Sequence, residues 1–256
     1  MAEPKVSVLI PNYRTPELTK LCLELLKKHT DLSQVHVIAI DNHSEDASVE
    51  YLRQVPWITL IERKADAPET PPQSHARALD LALSQVTTPY VLSIHTDTLI
   101  KHPQWLNYLL GKIEKNPNIA GVGSWKLESK PFHKRLLKTL ERKVQMVYYK
   151  IINKENHALE GVGKNYFYLR SHCALYRTEL LNKYRLKFDE SNEPAGKIMH
   201  KKLVDAGHDM IFLHSRELGH YLDHINHATM ILNPELGVRP RTVRQGLKKI
   251  QALLEG

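Results

Sequence analysis

Short apolar segments alternate with segments of helical spacing along the first hundred residues of the chain. Segments 6–10, 35–40, 58–62 and 90–94 are apolar and rich in β-branched residues, which predicts four buried strands. The intervening segments carry apolar residues three and four positions apart, which predicts helices between the strands. This alternation predicts an α/β protein with a central, mostly parallel sheet that is flanked by helices.

The helices have recognisable starts, and the later part of the chain gives further elements. Thr15 is expected to supply a capping hydroxyl to a helix that has Pro16 at its first position. Gly121 and Gly123 indicate a strand that is closely approached by a neighbouring backbone. The remaining predictions are helices over 47–54, 75–84, 103–115 and 196–207, strands over 119–124 and 166–176, and a loop over 65–73.

Polar residues follow three of the predicted strands at the point where each strand ends. They occupy segments 11–14, 41–46 and 95–98. Ligands of open α/β sheets bind beyond the carboxyl ends of the strands. We therefore expect these three segments to line one cleft.

The composition is that of a globular protein with a substantial core. Of 256 residues, 42% are hydrophobic and 25% are charged. Cys22 and Cys173 form no CxxC pair, so neither a disulfide framework nor a thiol-rich zinc site is expected. No apolar run approaches the roughly 20 residues of a spanning helix, and segment 1–5 does not begin a signal-peptide pattern. We expect a cytoplasmic protein with a single domain over 1–256.

Positive charge is concentrated in one segment of the chain. The formal net charge is +8, and segment 126–154 holds nine Lys or Arg residues against Glu128 and Glu141. Within 130–154, apolar residues recur every three or four positions and the cations lie largely off that stripe, which predicts an inserted basic amphipathic helix. Such a helix either packs on the core or lies on an anionic membrane surface, here the inner face of the plasma membrane.

Four motifs, in order along the chain, carry a resemblance to a known family. They are VSVLIPNY at 6–13, IDNHSED at 40–46, HARALD at 75–80 and YVLSIHTDT at 90–98. With these motifs the chain resembles glycosyltransferase family 2, the inverting nucleotide-sugar transferases with a Rossmann-like GT-A fold. The resemblance implies a nucleotide-sugar-binding half over 5–100, an acceptor half over 101–232 and a basic C-terminal tail over 233–256.

The resemblance implies a donor pocket at the predicted cleft. In it, Pro11, Asn12 and Tyr13 would shape the wall around the nucleobase, and Asp41 would accept hydrogen bonds from the base. A carboxylate at a strand end has the right chemistry, because it accepts base N–H groups and discriminates against bases that lack them. The alternative is that Asp41 and Ser44 only cap the following helix. The motifs place these residues around the donor: Pro11, Asn12, Tyr13, Asp41, Ser44, His75, Asp80, His95 and Asp97.

The sequence His95-Thr96-Asp97 lies where the family carries its DxD motif. The resemblance therefore implies Mn²⁺ or Mg²⁺ as cofactor, with Asp97 holding the cation against the diphosphate of the donor. Hard cations suit carboxylate and phosphate oxygens. His95 replaces the first carboxylate of the motif, which implies weaker metal binding or a softer ion such as Mn²⁺. The alternative is that Asp97 caps its loop and binds no metal.

Three histidines, His220, His224 and His227, follow near the C-terminal end. If their segment is helical, the three imidazoles share one face. The segment resembles the family's C-terminal histidine motif, with His224 as the cation ligand and His220 as the competing register. A separate zinc site and purely structural roles are the alternatives.

An inverting transfer needs a general base to remove the proton of the acceptor hydroxyl. Family members usually supply it from a Glu-Asp pair that opens a helix, but here those positions fall at Ala195-Gly196, which have no proton-accepting side chain. The nearest carboxylate is Glu193, followed by Glu190 and Asp189. Surface carboxylates in a solvated loop are the alternative interpretation.

The resulting hypothesis is a metal-assisted transferase that moves a sugar from a nucleotide donor, with UDP favoured, to a hydroxyl of a glycan or lipid-linked acceptor. Its role would be in cell-surface polysaccharide or glycolipid synthesis. A GT-A-like binding module without turnover is the second hypothesis. Nucleic-acid binding through the basic segment is a distant third, because only Tyr148 and Tyr149 interleave with the cations there, so no specific nucleic-acid partner is expected. The sequence does not indicate an oligomeric state.

Overall fold

Strands and helices alternate along the part of the chain that the structure describes. The computed structural model describes residues 3–65, 67–125, 144, 167–226, 228–236 and 240–254. The strands are β1 (Val6–Asn12), β2 (Val35–Asp41), β3 (Ile58–Glu62), β4 (Tyr90–Ile94), β5 (Thr98–Ile100), β6 (Ile119–Gly123), β7 (Cys173–Arg177), β8 (Asp209–Phe212) and β9 (Leu222–His224). The helices are α1 (Pro16–His29), α2 (Ala47–Arg53), α3 (Pro71–Leu83), α4 (Trp105–Ile113), α5 (Thr178–Lys183), α6 (Lys197–Asp205), α7 (Ser215–Leu218), α8 (Ala228–Leu232) and α9 (Pro240–Leu254).

The central sheet has seven strands in the order β3-β2-β1-β4-β7-β6-β8. Strands β1 to β4 are parallel to their neighbours among themselves, and β7 runs antiparallel to both β4 and β6. A second, two-stranded sheet pairs β5 with β9. The predicted α/β architecture with a mostly parallel sheet is therefore confirmed. The basic helix predicted over 130–154 lies outside the described residues, apart from Val144.

Two apolar layers cover the two faces of the central sheet. Residues of β1 alternate between them, since Val8 and Ile10 face one layer and Leu9 faces the other. The first layer is completed by α1, α2, α4 and the C-terminal helices, and the second by α3, α5 and α6. Because the sheet is covered on both faces, its strands are near-continuous apolar runs, which is why they were visible in the sequence.

Two helix starts differ from the sequence-based expectation. Thr15 precedes α1, but its hydroxyl makes no capping bond to the helix and is used elsewhere. Helix α3 begins at Pro71, within the segment expected to be loop. The backbone N–H of Thr70 donates to Gln73 Oε1 at 3.1 Å, so this first turn is capped from inside the helix.

The later elements also differ in extent. Of the strand predicted over 166–176, the described part is a strand only at Cys173–Arg177. Segment 233–256, expected as a basic tail, contains the helix Pro240–Leu254, whose Ile250 is buried in the first apolar layer. The close approach expected at Gly123 is confirmed, because a Cβ there would lie 2.4 Å from the backbone oxygen of Cys173 on β7.

None of the helices in the described ranges is long and apolar enough to cross a membrane.

Candidate metal and donor site

The site lies where β1, β2 and β4 end, at the edge expected from the sequence. Asp97 stands between β4 and β5, and β9 pairs antiparallel with β5 so that Thr98 is opposite His224. The backbone N–H of Ile225 donates to the backbone oxygen of Asp97 at 2.9 Å. This pairing carries His224 from the far end of the sequence to the side of Asp97.

Three side chains form a group that could hold a cation. In this group, which consists of His95, Asp97 and His224, one ligand atom of each residue lies within 4.8 Å of the others. Asp97 Oδ1 is 3.3 Å from His224 Nε2 and 3.7 Å from His95 Nδ1. Asp97 Oδ1 and His224 Nδ1 are buried without a hydrogen-bond partner among the described residues. A buried carboxylate oxygen without a donor is costly, so a bound cation would satisfy it.

The pKa shifts favour an ionised Asp97 and neutral imidazoles at His95 and His75. Burial by itself raises the pKa of Asp97, but the neighbouring imidazoles of His224 and His95 outweigh it, and the net shift is downward. Burial lowers the pKa of His95 well below its ordinary value, and it lowers the pKa of His75 to about 4. A neutral imidazole keeps a lone pair, which is the form that binds metal ions.

The donor atoms of this group suit a borderline divalent cation. Two imidazole nitrogens and one carboxylate oxygen fit Mn²⁺ and its neighbours in the first transition series, whereas Mg²⁺ prefers an all-oxygen shell. The residues present therefore fit the cation that the sequence implied, with His95 and His224 supplying nitrogen and Asp97 supplying oxygen.

Two further residues of the cluster were missed from the sequence. Ser171 Oγ lies 3.0 Å from His95 Nε2 and also 3.0 Å from His75 Nε2. His172 packs with its ring centroid 4.7 Å from that of His224, and its Nε2 lies 2.9 Å from Ser124 Oγ. Both precede β7, whose antiparallel direction starts it at the edge where β4 ends. Only that strand direction, which the sequence did not indicate, could have revealed them.

Asn12 is the centre of a buried polar cluster next to the cation group. Its Nδ2 lies 2.8 Å from Asp41 Oδ1, 3.1 Å from Ser44 Oγ and 2.8 Å from Ser48 Oγ. Its Oδ1 accepts a hydrogen bond of 2.6 Å from Thr19. The amide of Asn12 is therefore used inside the protein, where it fixes the orientation of Asp41.

Asp41 and Ser44 hold the loop after β2 rather than capping the next helix. Asp41 Oδ2 accepts from the backbone N–H of Ser44 at 3.1 Å, and Ser44 Oγ accepts from the backbone N–H of Arg14. The cap of α2 is instead Asp46, whose carboxylate accepts from the N–H of Ser48. The alternative in which Asp41 and Ser44 serve as the helix cap is thus not what the structure shows.

Of the other residues expected around the donor, Pro11 and Tyr13 lie at the end of β1 and Asp80 lies on α3. Pro11 is within β1 opposite Ile40, and the partly exposed ring of Tyr13 has the Arg14 guanidinium 5.3 Å from its centroid. The two carboxylate oxygens of Asp80, on α3, accept hydrogen bonds from the backbone N–H groups of Phe188 at 2.6 Å and Asp189 at 3.0 Å.

The structure separates the histidines of the C-terminal motif. The segment is not helical as far as it is described, because His224 ends strand β9. His220 is exposed, with its ring 4.9 Å from the ring of His102, and it does not belong to the cation group. His227 lies outside the described residues. Of the two registers considered, the structure brings His224 to Asp97.

Each of the three candidate bases has a cationic partner. Asp189 Oδ2 accepts from Arg77 Nε at 2.9 Å, and Glu193 Oε2 accepts from Lys197 Nζ at 2.8 Å. Glu190 pairs with Lys202. The segment that carries them runs along α3, where the side chain of Gln73 donates to Asn192 at 2.7 Å.

The sequence model of Glycosyl transferase family 2 matches residues 7–185. A search of curated proteins found no match.

Several solved structures share the fold. The mannosyltransferase PcManGT from Pyrobaculum calidifontis, in complex with GDP-Man and Mn²⁺, has a TM-score of 0.58 and 19% identity, covering 83% of this chain and 55% of that one. TarS 1–349 of S. aureus has a TM-score of 0.57 and 15% identity, covering 91% of this chain and 63% of that one. Glucosyl-3-phosphoglycerate synthase from Mycobacterium tuberculosis, with Mn²⁺, UDP and glucosyl-3-phosphoglycerate, has a TM-score of 0.52 and 17% identity, covering 95% and 78%. This chain therefore spans 55% and 63% of the length of the first two proteins.

Proposed function

This chain belongs to glycosyltransferase family 2 and has the GT-A fold, and from that membership we propose that it transfers a sugar from a nucleotide-sugar donor to a hydroxyl acceptor. The observation that carries the proposal is the buried Oδ1 of Asp97, which lies between two imidazoles at the end of β4 and has no hydrogen-bond partner among the described residues. A cation held there would bind the diphosphate of the donor and stabilise the charge that develops on it as the sugar leaves.

Mn²⁺ is the cation that we propose for this position. Asp97, His224 and His95 would be its protein ligands, and the remaining coordination positions would be open to phosphate oxygens. Two of the structures that share the fold contain Mn²⁺ together with a nucleotide or nucleotide sugar, which supports this choice.

The nucleotide would lie against the ends of β1 and β2. Asp41 is held by Asn12 and by the N–H of Ser44, which leaves further lone pairs of its carboxylate for base N–H groups. Tyr13 is partly exposed next to this point and offers a ring on which a base can stack. UDP is our first choice of nucleotide, and GDP and dTDP are the competing donors in the test below.

Glu193 is the general base that we propose. Helix α3 starts at the edge where the site lies, because Ser74 in its first turn accepts from Asn42, just beyond β2, at 2.7 Å. The segment over 188–193 runs along this helix towards that edge, with Asp189 beside Arg77 and Asn192 beside Gln73. Glu193 directly follows Asn192, and on this basis we place it nearer the site than Asp189. Glu190 is directed to Lys202 on α6.

The acceptor that we propose is a glycan or a lipid-linked sugar, with the enzyme acting in the cytoplasm at the inner face of the plasma membrane. The basic pattern of 130–154 supports this, since such a segment binds anionic headgroups. A role in cell-surface polysaccharide or glycolipid synthesis follows from that acceptor.

A thermal-shift screen followed by a transfer assay tests the proposal. UDP, GDP and dTDP are added with and without Mn²⁺ to the wild type, to Asp97→Asn and to Asp223→Asn. Asp223 is the matched control, because it is exposed on β9 next to His224 and pairs with Lys101. A nucleotide at 100 times its Kd raises the melting temperature by about 5–10 °C.

We expect that rise only with Mn²⁺, in the wild type and in Asp223→Asn but not in Asp97→Asn. Release of the nucleoside diphosphate from UDP- and GDP-sugars, in the presence of glycan and lipid acceptors, is then measured. Binding without any release across the panel would support the binding-module hypothesis instead. No binding of any nucleotide with Mn²⁺ would overturn the proposal.

A further inference from the structure

A single serine hydroxyl connects two partly buried histidines. Ser171 Oγ lies 3.0 Å from the Nε2 atoms of both His75 and His95. A hydroxyl has one hydrogen to donate, so it cannot donate to both rings. At least one imidazole must therefore donate its Nε2–H to Ser171, whose oxygen can accept from one ring or from both.

The two possible roles of His95 Nε2, acceptor or donor, have different consequences at the opposite nitrogen of the ring. If His95 accepts at Nε2, its proton is on Nδ1, which points at Asp97 Oδ1 from 3.7 Å, too far for a hydrogen bond. If His95 donates from Nε2, Nδ1 has a free lone pair 3.7 Å from Asp97 Oδ1, within the group that also contains His224. Only the second arrangement makes His95 a metal ligand.

We propose that His95 is the third protein ligand of the cation through Nδ1, and that Ser171 and His75 are positioning residues that hold it in this tautomer. The order of donation would be His95 Nε2–H to Ser171 Oγ, and Ser171 O–H to His75 Nε2. A ligating histidine usually donates its other N–H to such a partner, which fixes the ring and raises its basicity. This inference rests on the proposed function, since it concerns the same cation.

The distances between the three ligand atoms are close to those expected around a bound ion. Two donors about 2.1 Å from one cation are at most about 4.2 Å apart. The three ligand atoms here lie within 4.8 Å of one another, so small side-chain rotations close the group. The carboxylate that the family's DxD motif has at position 95 is thereby replaced by nitrogen.

The consequence is metal selectivity. Mg²⁺ dehydrates reluctantly and prefers oxygen, whereas imidazole suits the transition metals. We expect Mg²⁺ to displace Mn²⁺ from the protein poorly, and His95→Asp to make that displacement at least tenfold easier. This displacement is a property of the protein with the metal alone, without nucleotide, so it does not depend on catalysis.

Electron spin-echo spectroscopy of Mn²⁺ bound to the full chain, without nucleotide, counts the coordinating imidazole nitrogens. Affinity is measured in the same samples from the signal of free Mn²⁺. The variants are His95→Gln and Ser171→Ala, and the matched controls are His172→Gln and Ser124→Ala. His172 and Ser124 form an equivalent buried pair 2.9 Å apart that adjoins His224 but lies outside the cation group.

We expect two coordinating nitrogens in the wild type, one in His95→Gln, and two in His172→Gln. Loss of the positioning contact in Ser171→Ala is expected to weaken Mn²⁺ binding about 10- to 100-fold, while Ser124→Ala changes it less than threefold. A single nitrogen in the wild type overturns the inference even if a variant fails to fold, and so does loss of a nitrogen in His172→Gln.

Two variants separate this inference from the proposed function. If Asp97→Asn and His224→Gln abolish Mn²⁺ binding while His95→Gln retains full affinity, the cation site stands and the role of His95 is wrong. If Mn²⁺ binding survives in both Asp97→Asn and His224→Gln, the cation site itself is wrong, and the proposed function fails with it.

Discussion

The hydroxyl oxygens of Thr15 and Thr96 lie 3.1 Å apart and connect the ends of two neighbouring strands. Thr15 Oγ1 is also 3.4 Å from the side-chain oxygen of Asn12, which in turn holds Asp41. Thr96 directly precedes Asp97. The cluster around Asn12 and the cation group are therefore two ends of one buried polar layer. We expect a substitution in one of them to alter the side-chain geometry of the other.

Asn12 is expected to be one of the most sensitive polar residues of the chain. Replacement by Ala removes the contacts to Asp41, Ser48 and Thr19 and leaves Asp41 Oδ1 buried without a hydrogen-bond donor among the described residues. We expect a loss of about 2–4 kcal/mol in the free energy of unfolding. Urea denaturation measures it, with Asn107→Ala as the control.

Asn107 is exposed and its amide contacts only Gln104 among the polar contacts described, so its replacement should cost less than about 0.5 kcal/mol. Equal losses in the two variants would show that the amide of Asn12 does not organise the cluster.

Stability is expected to fall as the pH decreases below 6.5. Burial lowers the pKa of His200 from 6.5 to about 4, and it lowers the pKa of His75 to about 4 as well. As the pH falls, the unfolded chain binds protons at these two histidines before the folded chain does. The free energy of unfolding is therefore not reduced by them above about pH 6.5, and it decreases progressively from there down to pH 4.

His200→Gln tests this without touching the site. We expect the decrease in the free energy of unfolding between pH 6.5 and 4 to be smaller in this variant by about 1–3 kcal/mol. His220→Gln, at an exposed position, is the control and should follow the wild-type curve. A variant curve parallel to that of the wild type would contradict the assignment.

Two glycines are expected to respond to alanine in opposite directions. At Gly123 the new Cβ would lie 2.4 Å from the backbone oxygen of Cys173, so β6 and β7 would have to separate. We expect a loss of about 2–4 kcal/mol. At Gly111, within α4, no atom of the described residues lies within 4 Å of the new Cβ, and a gain of about 0.5–1 kcal/mol is expected from helix propensity. Thermal melting of the two variants compares them directly.

Glu193 is expected to affect turnover rather than donor binding. In Glu193→Gln, kcat should fall by about 10²- to 10⁴-fold, because a proton acceptor is lost. The Mn²⁺-dependent melting shift with nucleotide should remain. Asp189→Asn and Glu190→Gln are the comparison variants, and the larger loss of kcat in either of them would transfer the role of base to that residue.

The strands and their order along the chain were predictable because the parallel sheet is buried on both faces. Segments 58–62 and 90–94 are strands with the predicted bounds, and Asp97 lies at the strand end where it was expected. In these cases a local pattern of apolar residues was sufficient. Crossover connections between parallel strands then place the carboxyl ends of those strands at the same edge of the sheet.

The parts of the site that escaped prediction depend on contacts between distant segments. His172 and Ser171 arrive through the antiparallel β7. His224 was expected as a cation ligand, but the short strand β9 that carries it was not predicted, since its segment was considered only as a possible helix. A strand of three residues is too short to show a period. Its conformation is fixed by pairing with β5, which no local pattern reveals.

Helix α3 touches both reactive ends of the proposed transfer. His75 on this helix contacts the cation cluster through Ser171, while Gln73, Arg77 and Asp80 hold the segment over 188–193 that carries the candidate base. Helix α3 thus sets the distance between the proposed positions of the departing nucleotide and the incoming hydroxyl. To accept a larger acceptor by engineering, the segment over 188–193 would have to be lengthened. Moving helix α3 instead would displace the cation cluster and the candidate base together.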